Sequence, residues 1–139
     1  RIKCRGVLML QYPKDILHAF GETITGDDEK LMWLFNNGYP ELAALSRSIR
    51  GSEEAFKFLL KHYPHLAALD AAIDNNPKAY LWLKEHKLLF SIIFADACRN
   101  KAEAIKWLQD RKQDIFLMLA AKIDHFRETQ YFNIYKKHF

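Results

Sequence analysis

A spacing of about 25 residues constrains this chain more than any other feature of its sequence. An aromatic residue followed by leucine recurs at separations of 25, 24 and 25, as Trp33-Leu34, Phe58-Leu59, Trp82-Leu83 and Trp107-Leu108, and Phe132 follows after another 25. Two apolar columns share this spacing. They are Phe20, Leu45, Leu69, Phe94 and Leu119, and Ile24, Ile49, Ile73, Cys98 and Ile123. Self-similarity at a fixed period of this length is typical of a repeat architecture.

Each unit has the pattern of two short helices. Leu42, Leu45 and Ile49 have the spacing of one helical face. Two residues after each Ile or Cys of the second column comes a residue that we expect to end the helix, namely Gly26, Gly51, Asn75, Asn100 and His125. Asp27, Ser52 and Asn76-Pro77 then start the next helix. The predicted helices span 15–25, 27–37, 41–50, 52–62, 65–74, 77–86, 89–99, 101–111, 114–124 and 126–137.

These units predict an all-α fold, an α-solenoid of about five stacked antiparallel helix hairpins with a period of about 25 residues. A single hairpin cannot bury its apolar face, whereas stacked hairpins share one core, so the three columns are predicted to be contacts between units. The repeat domain spans 15–139, and residues 1–14 form an N-terminal segment or a partial repeat. The alternative is an irregular helical bundle whose periodicity is accidental.

Parts of the sequence resemble ankyrin repeats. The stretches from Gly51 to Leu60 and from Asn100 to Leu108 are similar to the second helix of that repeat, with its Gly-x-x-Glu-x-x-x-x-Leu-Leu pattern, and 66–72 is similar to its alanine-rich first helix. The loops are too short for the ankyrin β-hairpin, and the Thr-Pro-Leu-His start is absent. The resemblance therefore implies only stacked helix hairpins and, by analogy, protein binding.

Composition excludes several classes of protein. Half of the 139 residues are hydrophobic, which excludes intrinsic disorder. The net charge of +4 is too small to indicate an obligate nucleic-acid binder. The longest apolar patch, 88–94, is too short for a membrane span. Cys4 and Cys98 cannot form a disulfide framework, so we expect a reducing, cytoplasmic environment. The absence of an initial methionine suggests that the chain is trimmed from a longer protein.

The sequence contains no recognised catalytic or metal-binding pattern. The six histidines have no metal-ligand spacing, and no glycine-rich phosphate loop is present. The acidic residues at 27–29 and at 53–54 are explained by the helix dipole, and Cys98 stands in an apolar column and is expected to be buried. The prediction is a protein that is not an enzyme and needs no cofactor.

Two charge patterns follow the repeat. Arg50, Asp74, Arg99 and Asp124 occupy equivalent positions and are predicted to form a ladder of ion pairs between units. Basic residues close successive second helices and would form one basic ridge, comprising Lys61, Lys87, Arg111, Lys112 and Lys137 together with His62, His86 and Lys136. Helix-dipole compensation explains this ridge, and we find no aromatic interleaving on it that would indicate base stacking.

The predicted function is that of a repeat scaffold that binds a protein or peptide along the surface formed by the first helices. The polar groups expected to project from that surface are Glu22, Arg47, Asp70 and Asp96. The alternative is binding of nucleic acid or another acidic polymer through the basic ridge, although nucleic acid is the less favoured ligand. The C-terminal aromatic residues Tyr131, Phe132, Tyr135 and Phe139, with Ile134, suggest self-association.

Overall fold

The computed structural model describes residues 11–129 and residue 139, and over these residues it contains helices and no strand. The nine helices of this part of the chain are α1 (Lys14–Ile24), α2 (Asp28–Asn36), α3 (Pro40–Ile49), α4 (Glu53–His62), α5 (Pro64–Ile73), α6 (Pro77–Glu85), α7 (Leu89–Cys98), α8 (Ala102–Asp110) and α9 (Asp114–Thr129). The bounds of α1 to α8 agree with the predicted ones to within one residue. The all-α prediction is confirmed.

Local chemistry explains where these helices begin and end. The side chain of Asp27 accepts a hydrogen bond from the Lys30 backbone N–H at 3.1 Å, and that of Ser52 accepts one from Ala55 at 3.1 Å. Asn76 caps α6 in the same way. The residues predicted to end the first helices take positive φ angles, namely Gly26 (105°), Gly51 (106°), Asn75 (66°) and Asn100 (62°). Left-handed backbone at these positions stops each helix.

The last unit departs from this pattern. The predicted break at His125 is wrong, because α9 continues through it to Thr129 and the residue has no positive φ. Phe126 is consequently buried, and Arg127 Nε lies 3.5 Å from Asp74 Oδ1 at the end of α5. Of the predicted helix 126–137, residues 130–137 lie outside the described part.

The helices pack in two sets. The inner helices are α1, α3, α5, α7 and α9, each of which packs against the next, and α1 also packs against α9. The outer helices are α2, α4, α6 and α8, and each packs against the two inner helices that flank it in the chain. This arrangement is compatible with a helical repeat, and it joins the inner helices in a closed ring.

Ring closure depends on a close approach at Gly21. A Cβ atom placed on this residue would stand 2.9 Å from Leu119 Cδ2 and 3.4 Å from Met118 Sδ, so glycine lets α1 lie directly on α9. The predicted stack of neighbouring hairpins does not include this contact between the first and last units.

The core confirms two of the three predicted columns. The column that begins at Phe20 and the one that begins at Ile24 are buried throughout. The aromatic column differs, because Trp33 is 39% and Phe58 38% exposed, whereas the leucine that follows each aromatic residue is fully buried. One residue turns a helix by about 100°, so Leu34 and Leu59 face the inner helices and their aromatic neighbours face outward. Trp82 and Trp107 are half-buried at the edge of the core.

Candidate functional site: a groove between two outer helices

Exposed large apolar side chains concentrate on α2, and one more lies on the neighbouring outer helix α4. Met32 is 55% and Phe35 58% exposed on α2, and Phe58 is 38% exposed on α4. They stand on the two walls of a groove whose floor is α3 and whose volume is about 370 Å³. We call it the α2–α4 groove. It is lined by Leu31, Met32, Phe35, Pro40, Ala43, Ala44, Arg47, Glu54, Ala55 and Phe58.

Small residues in the floor leave this groove open. Ala43 and Ala44 lie beneath the long side chains of the walls. The equivalent residues of the next unit, Ala67 and Ala68, are completely buried. In the last two units these positions carry larger side chains, Ile92-Ile93 and Leu117-Met118, which pack against the core. The alanine pair flanked by exposed apolar residues is the sequence signal that could have indicated the groove.

Two charged side chains line this apolar groove. Within the described residues, the side chains of Arg47 and Glu54 take part in no hydrogen bond or ion pair. Arg47 and Leu31 also line a second, more open pocket of about 560 Å³, whose other lining residues are Asp28, Arg50, Gly51, Ser52 and Phe126. We call it the arginine pocket. Arg50 Nη1 donates to the Thr23 carbonyl oxygen at 3.3 Å.

The predicted site residues on the first helices have different environments. Glu22 is exposed, with an oxygen 3.8 Å from Lys30 Nζ, and Arg47 lines the groove. Asp96 is partly buried and accepts a hydrogen bond of 2.5 Å from the Tyr80 hydroxyl. Burial, together with this hydrogen bond, raises the pKa of Tyr80 to about 12. The Asp96 carboxylate is therefore engaged within the fold.

The prediction that Asp70 projects from the surface is wrong. Its side chain is fully buried among the inner helices and accepts a hydrogen bond from the Ser48 hydroxyl of α3. The physical reason is that α5 is buried on every side from Leu66 to Ile73, so that Ala71, the true equivalent of Arg47 in a unit 24 residues long, is fully buried as well. Asp70 is instead equivalent to Ser46, another buried residue.

The predicted ladder of ion pairs differs from the contacts that the structure shows. Arg50 donates to the Thr23 carbonyl, and Asp74 pairs with Arg127. Arg99 donates to the Tyr80 hydroxyl at 3.2 Å and lies 3.9 Å from Asp96 within its own helix.

The basic ridge carries aromatic rings that the sequence reasoning missed. Lys61, Lys87, Arg111 and Lys112 are exposed, whereas Lys136 and Lys137 lie outside the described residues. The Trp82 and His86 rings stack with centroids 3.8 Å apart, and the Arg111 guanidinium lies 3.8 Å from the Trp107 ring centroid. Phe58 and His62 repeat the arrangement at 4.9 Å. The missed signal is the spacing, since each aromatic residue precedes its basic partner by one helical turn.

Other candidate chemistry is confined to buried or structural groups. Cys98 is fully buried, and this burial raises the pKa of its thiol. Within residues 11–129 and 139, no group of acidic, histidine or cysteine side chains could hold a metal ion. None of the helices described has the length and apolar character needed to cross a membrane. Of the aromatic C-terminal residues only Phe139 is described, and it packs against Trp82 with ring centroids 5.8 Å apart.

No protein-family model matches the chain, and no curated protein or solved structure is significantly similar to it. The expected resemblance to ankyrin repeats is thus not supported by any family match, and the structure shows only helices packed in a way that is compatible with a helical repeat.

Proposed function

We propose that this protein is a non-enzymatic interaction module, built from repeated helix hairpins, that binds a peptide segment of a partner protein in the α2–α4 groove. The observation that carries the proposal is the exposure of Met32, Phe35 and Phe58 on the facing walls of one concave surface. Large apolar side chains grouped around a hollow are typical of interaction sites, whereas isolated ones are ordinary.

The dimensions of the groove suit a peptide. Its volume of about 370 Å³ is enough for two or three apolar side chains and too small for a folded domain to enter. An amphipathic segment would place its apolar residues between Met32, Phe35 and Phe58, as helices do when they dock in apolar grooves. The rigid ring of inner helices holds α3 in place as the floor, so the groove exists before its ligand arrives.

Selection from a library of random 12-residue peptides displayed on phage tests this proposal. We expect enriched peptides to share two or three apolar residues at helical spacing. Their binding should be lost in Phe35→Glu, because a charge introduced on the groove wall would be buried under the peptide. The matched control is Leu81→Glu, which changes an equally exposed apolar residue of α6, outside the groove.

Circular dichroism and thermal unfolding would show that both variants remain folded. If the selected peptides bind Phe35→Glu and Leu81→Glu equally well, or if no peptide is enriched, the proposal of a peptide groove is wrong.

The stacked rings of the basic ridge favour a second candidate function, the binding of an acidic polymer. Half-exposed aromatic rings beside cations offer both stacking and charge to a single-stranded nucleic acid. Three successive outer helices, α4, α6 and α8, carry an aromatic ring beside a basic side chain, which is a histidine on α4 and α6 and an arginine on α8. The competing role is structural, since a cation over an aromatic ring one turn away also stabilises the helix end.

A salt titration with an oligothymidylate distinguishes these roles. Binding through phosphates would weaken steeply with salt and disappear in the double variant Lys87→Glu and Lys112→Glu. The matched control is Lys78→Glu with Lys101→Glu, which changes the same two outer helices near their opposite ends. Equal behaviour of the two double variants would contradict the polymer-binding role.

A further inference from the structure

We infer that the segment bound in the α2–α4 groove carries a carboxylate, which binds to the guanidinium group of Arg47 where the groove meets the arginine pocket. This inference depends on the proposed function, because it names the chemistry of the ligand at the same site. Arg47 lines both hollows, and so does Leu31 beside it. A ligand in the groove would therefore reach Arg47 with its end or with one side chain.

Arg47 differs from the equivalent charged residues of other units. Glu22 has Lys30 within 3.8 Å, and Asp96 is bound by Tyr80 at 2.5 Å. Arg47 has no such partner among the described residues, although it stands between apolar walls. A guanidinium group left unpaired beside a concave apolar surface is available to a ligand, and its planar fork fits a carboxylate through two parallel hydrogen bonds.

The arginine pocket adds a second positive charge. Arg50 lines it together with Arg47, and among the described residues Asp28 is the one acidic residue of the lining, so the formal charge of this part of the lining is positive. Phe126 and Leu31 form apolar parts of the wall of this open pocket. Glu54 lines the groove itself and would repel a second carboxylate there. The arrangement therefore favours one acidic group, placed at the Arg47 side.

Matched peptides test the inference. The same phage selection should enrich an aspartate, a glutamate or a free C-terminal carboxylate at one fixed distance from the apolar residues. A synthetic enriched peptide and its Glu→Gln, Asp→Asn or C-terminal amide form would be titrated by calorimetry against wild type and against Arg47→Gln. We expect the neutral peptide to bind wild type about 10-fold to 100-fold more weakly, as is usual for a lost hydrogen bond to a charged group.

The variant Arg47→Gln tests whether the peptide carboxylate binds to Arg47 and not to another basic residue. In Arg47→Gln the acidic and neutral peptides should bind with nearly equal affinity, and Arg47→Lys should restore only part of the preference, because lysine lacks the fork. The control is Lys78→Gln, which removes an exposed cation outside both hollows. It should leave the preference unchanged.

The outcomes separate this inference from the function on which it depends. The carboxylate site would be wrong if the peptides require Phe35 for binding but share no acidic group. It would also be wrong if their preference for the acid survives in Arg47→Gln. Either result would still support the peptide groove. Failure to enrich any peptide that requires Phe35 would overturn both.

Discussion

The inner and outer helices of this protein bury very different shares of their residues. The inner helix α5 buries eight residues, Leu66, Ala67, Ala68, Leu69, Asp70, Ala71, Ala72 and Ile73. The outer helix α2 buries only Leu34 and exposes Met32, Trp33 and Phe35. Each inner helix packs against other inner helices and against outer ones, whereas each outer helix packs mainly against the two inner helices that flank it in the described part of the chain. Stability is therefore expected to reside in the ring, and the outer surface is free to carry binding groups.

The largest effect should come from the same substitution made in each set. Leu69→Ala on α5 removes a fully buried side chain and should lower the free energy of unfolding by about 2–5 kcal/mol. Leu81→Ala on α6 removes a side chain that is 55% exposed, and the change should stay within about 0.5 kcal/mol. Urea unfolding measures the free energy of unfolding of both variants. Similar decreases would show that the inner and outer helices do not differ in their contribution to stability.

Ring closure predicts the next effect. Gly21→Val should cost about 1–3 kcal/mol, because its branched side chain would overlap Leu119 on α9. Gly21→Ala should cost less, since its Cβ meets only the end of a flexible leucine and alanine favours a helix by about 1 kcal/mol. In a double-mutant cycle, Leu119→Ala should reduce the cost of Gly21→Val. Additive effects would argue against a direct contact between α1 and α9.

The buried position of Asp70 and the exposed position of Arg47 predict a third difference in stability. Asp70→Ala should lower stability by about 1–3 kcal/mol, because it leaves the buried Ser48 hydroxyl without its acceptor. Arg47 is exposed on α3. Arg47→Ala should therefore change the free energy of unfolding by less than about 0.5 kcal/mol. A large loss in Arg47→Ala would mean that this arginine supports the fold and is not available to a ligand.

The last prediction concerns the pH dependence of stability and the hydrogen bond from Tyr80 on the outer helix α6 to Asp96 on the inner helix α7. Its pKa is raised from 10.0 to about 12, so the folded protein holds the hydroxyl proton more tightly than the unfolded chain does. The resulting contribution is present below pH 10 and is lost as the pH rises to about 12. Thermal unfolding across this range should show a shallower decline in Tyr80→Phe than in wild type. Identical slopes would refute this account of Tyr80.

The helix bounds were predictable because their signals are local. Asp27, Ser52 and Asn76 cap helices through hydrogen bonds to residues two or three positions away, and Gly51 or Asn75 ends a helix through its own φ angle. The same local reasoning was wrong at His125, where histidine was treated as equivalent to glycine and asparagine. The helix continues through His125 to Thr129, whereas Lys87 and Lys112 take positive φ angles, so residue type alone does not decide where a helix ends.

The candidate site was predictable only in part. Arg47 was expected to face outward, and the structure places it in the groove. Phe35 and Phe58 were not recognised as walls, because an aromatic residue at helical spacing indicates a core contact as readily as an exposed one. Asp70 was misplaced because α5 is buried on every side from Leu66 to Ile73, which depends on how the inner helices pack and not on a local sequence signal.

The sequence by itself determined the all-helical class, the period and the ends of eight helices, since each of these depends on residues within a few positions of one another. Only the tertiary structure decided that α1 closes on α9, that leucine rather than its aromatic neighbour faces the core, and that Arg47 stands without a partner among the described residues. These features depend on which distant side chains meet, and a rotation of about 100° per residue makes such meetings sensitive to a single-residue shift.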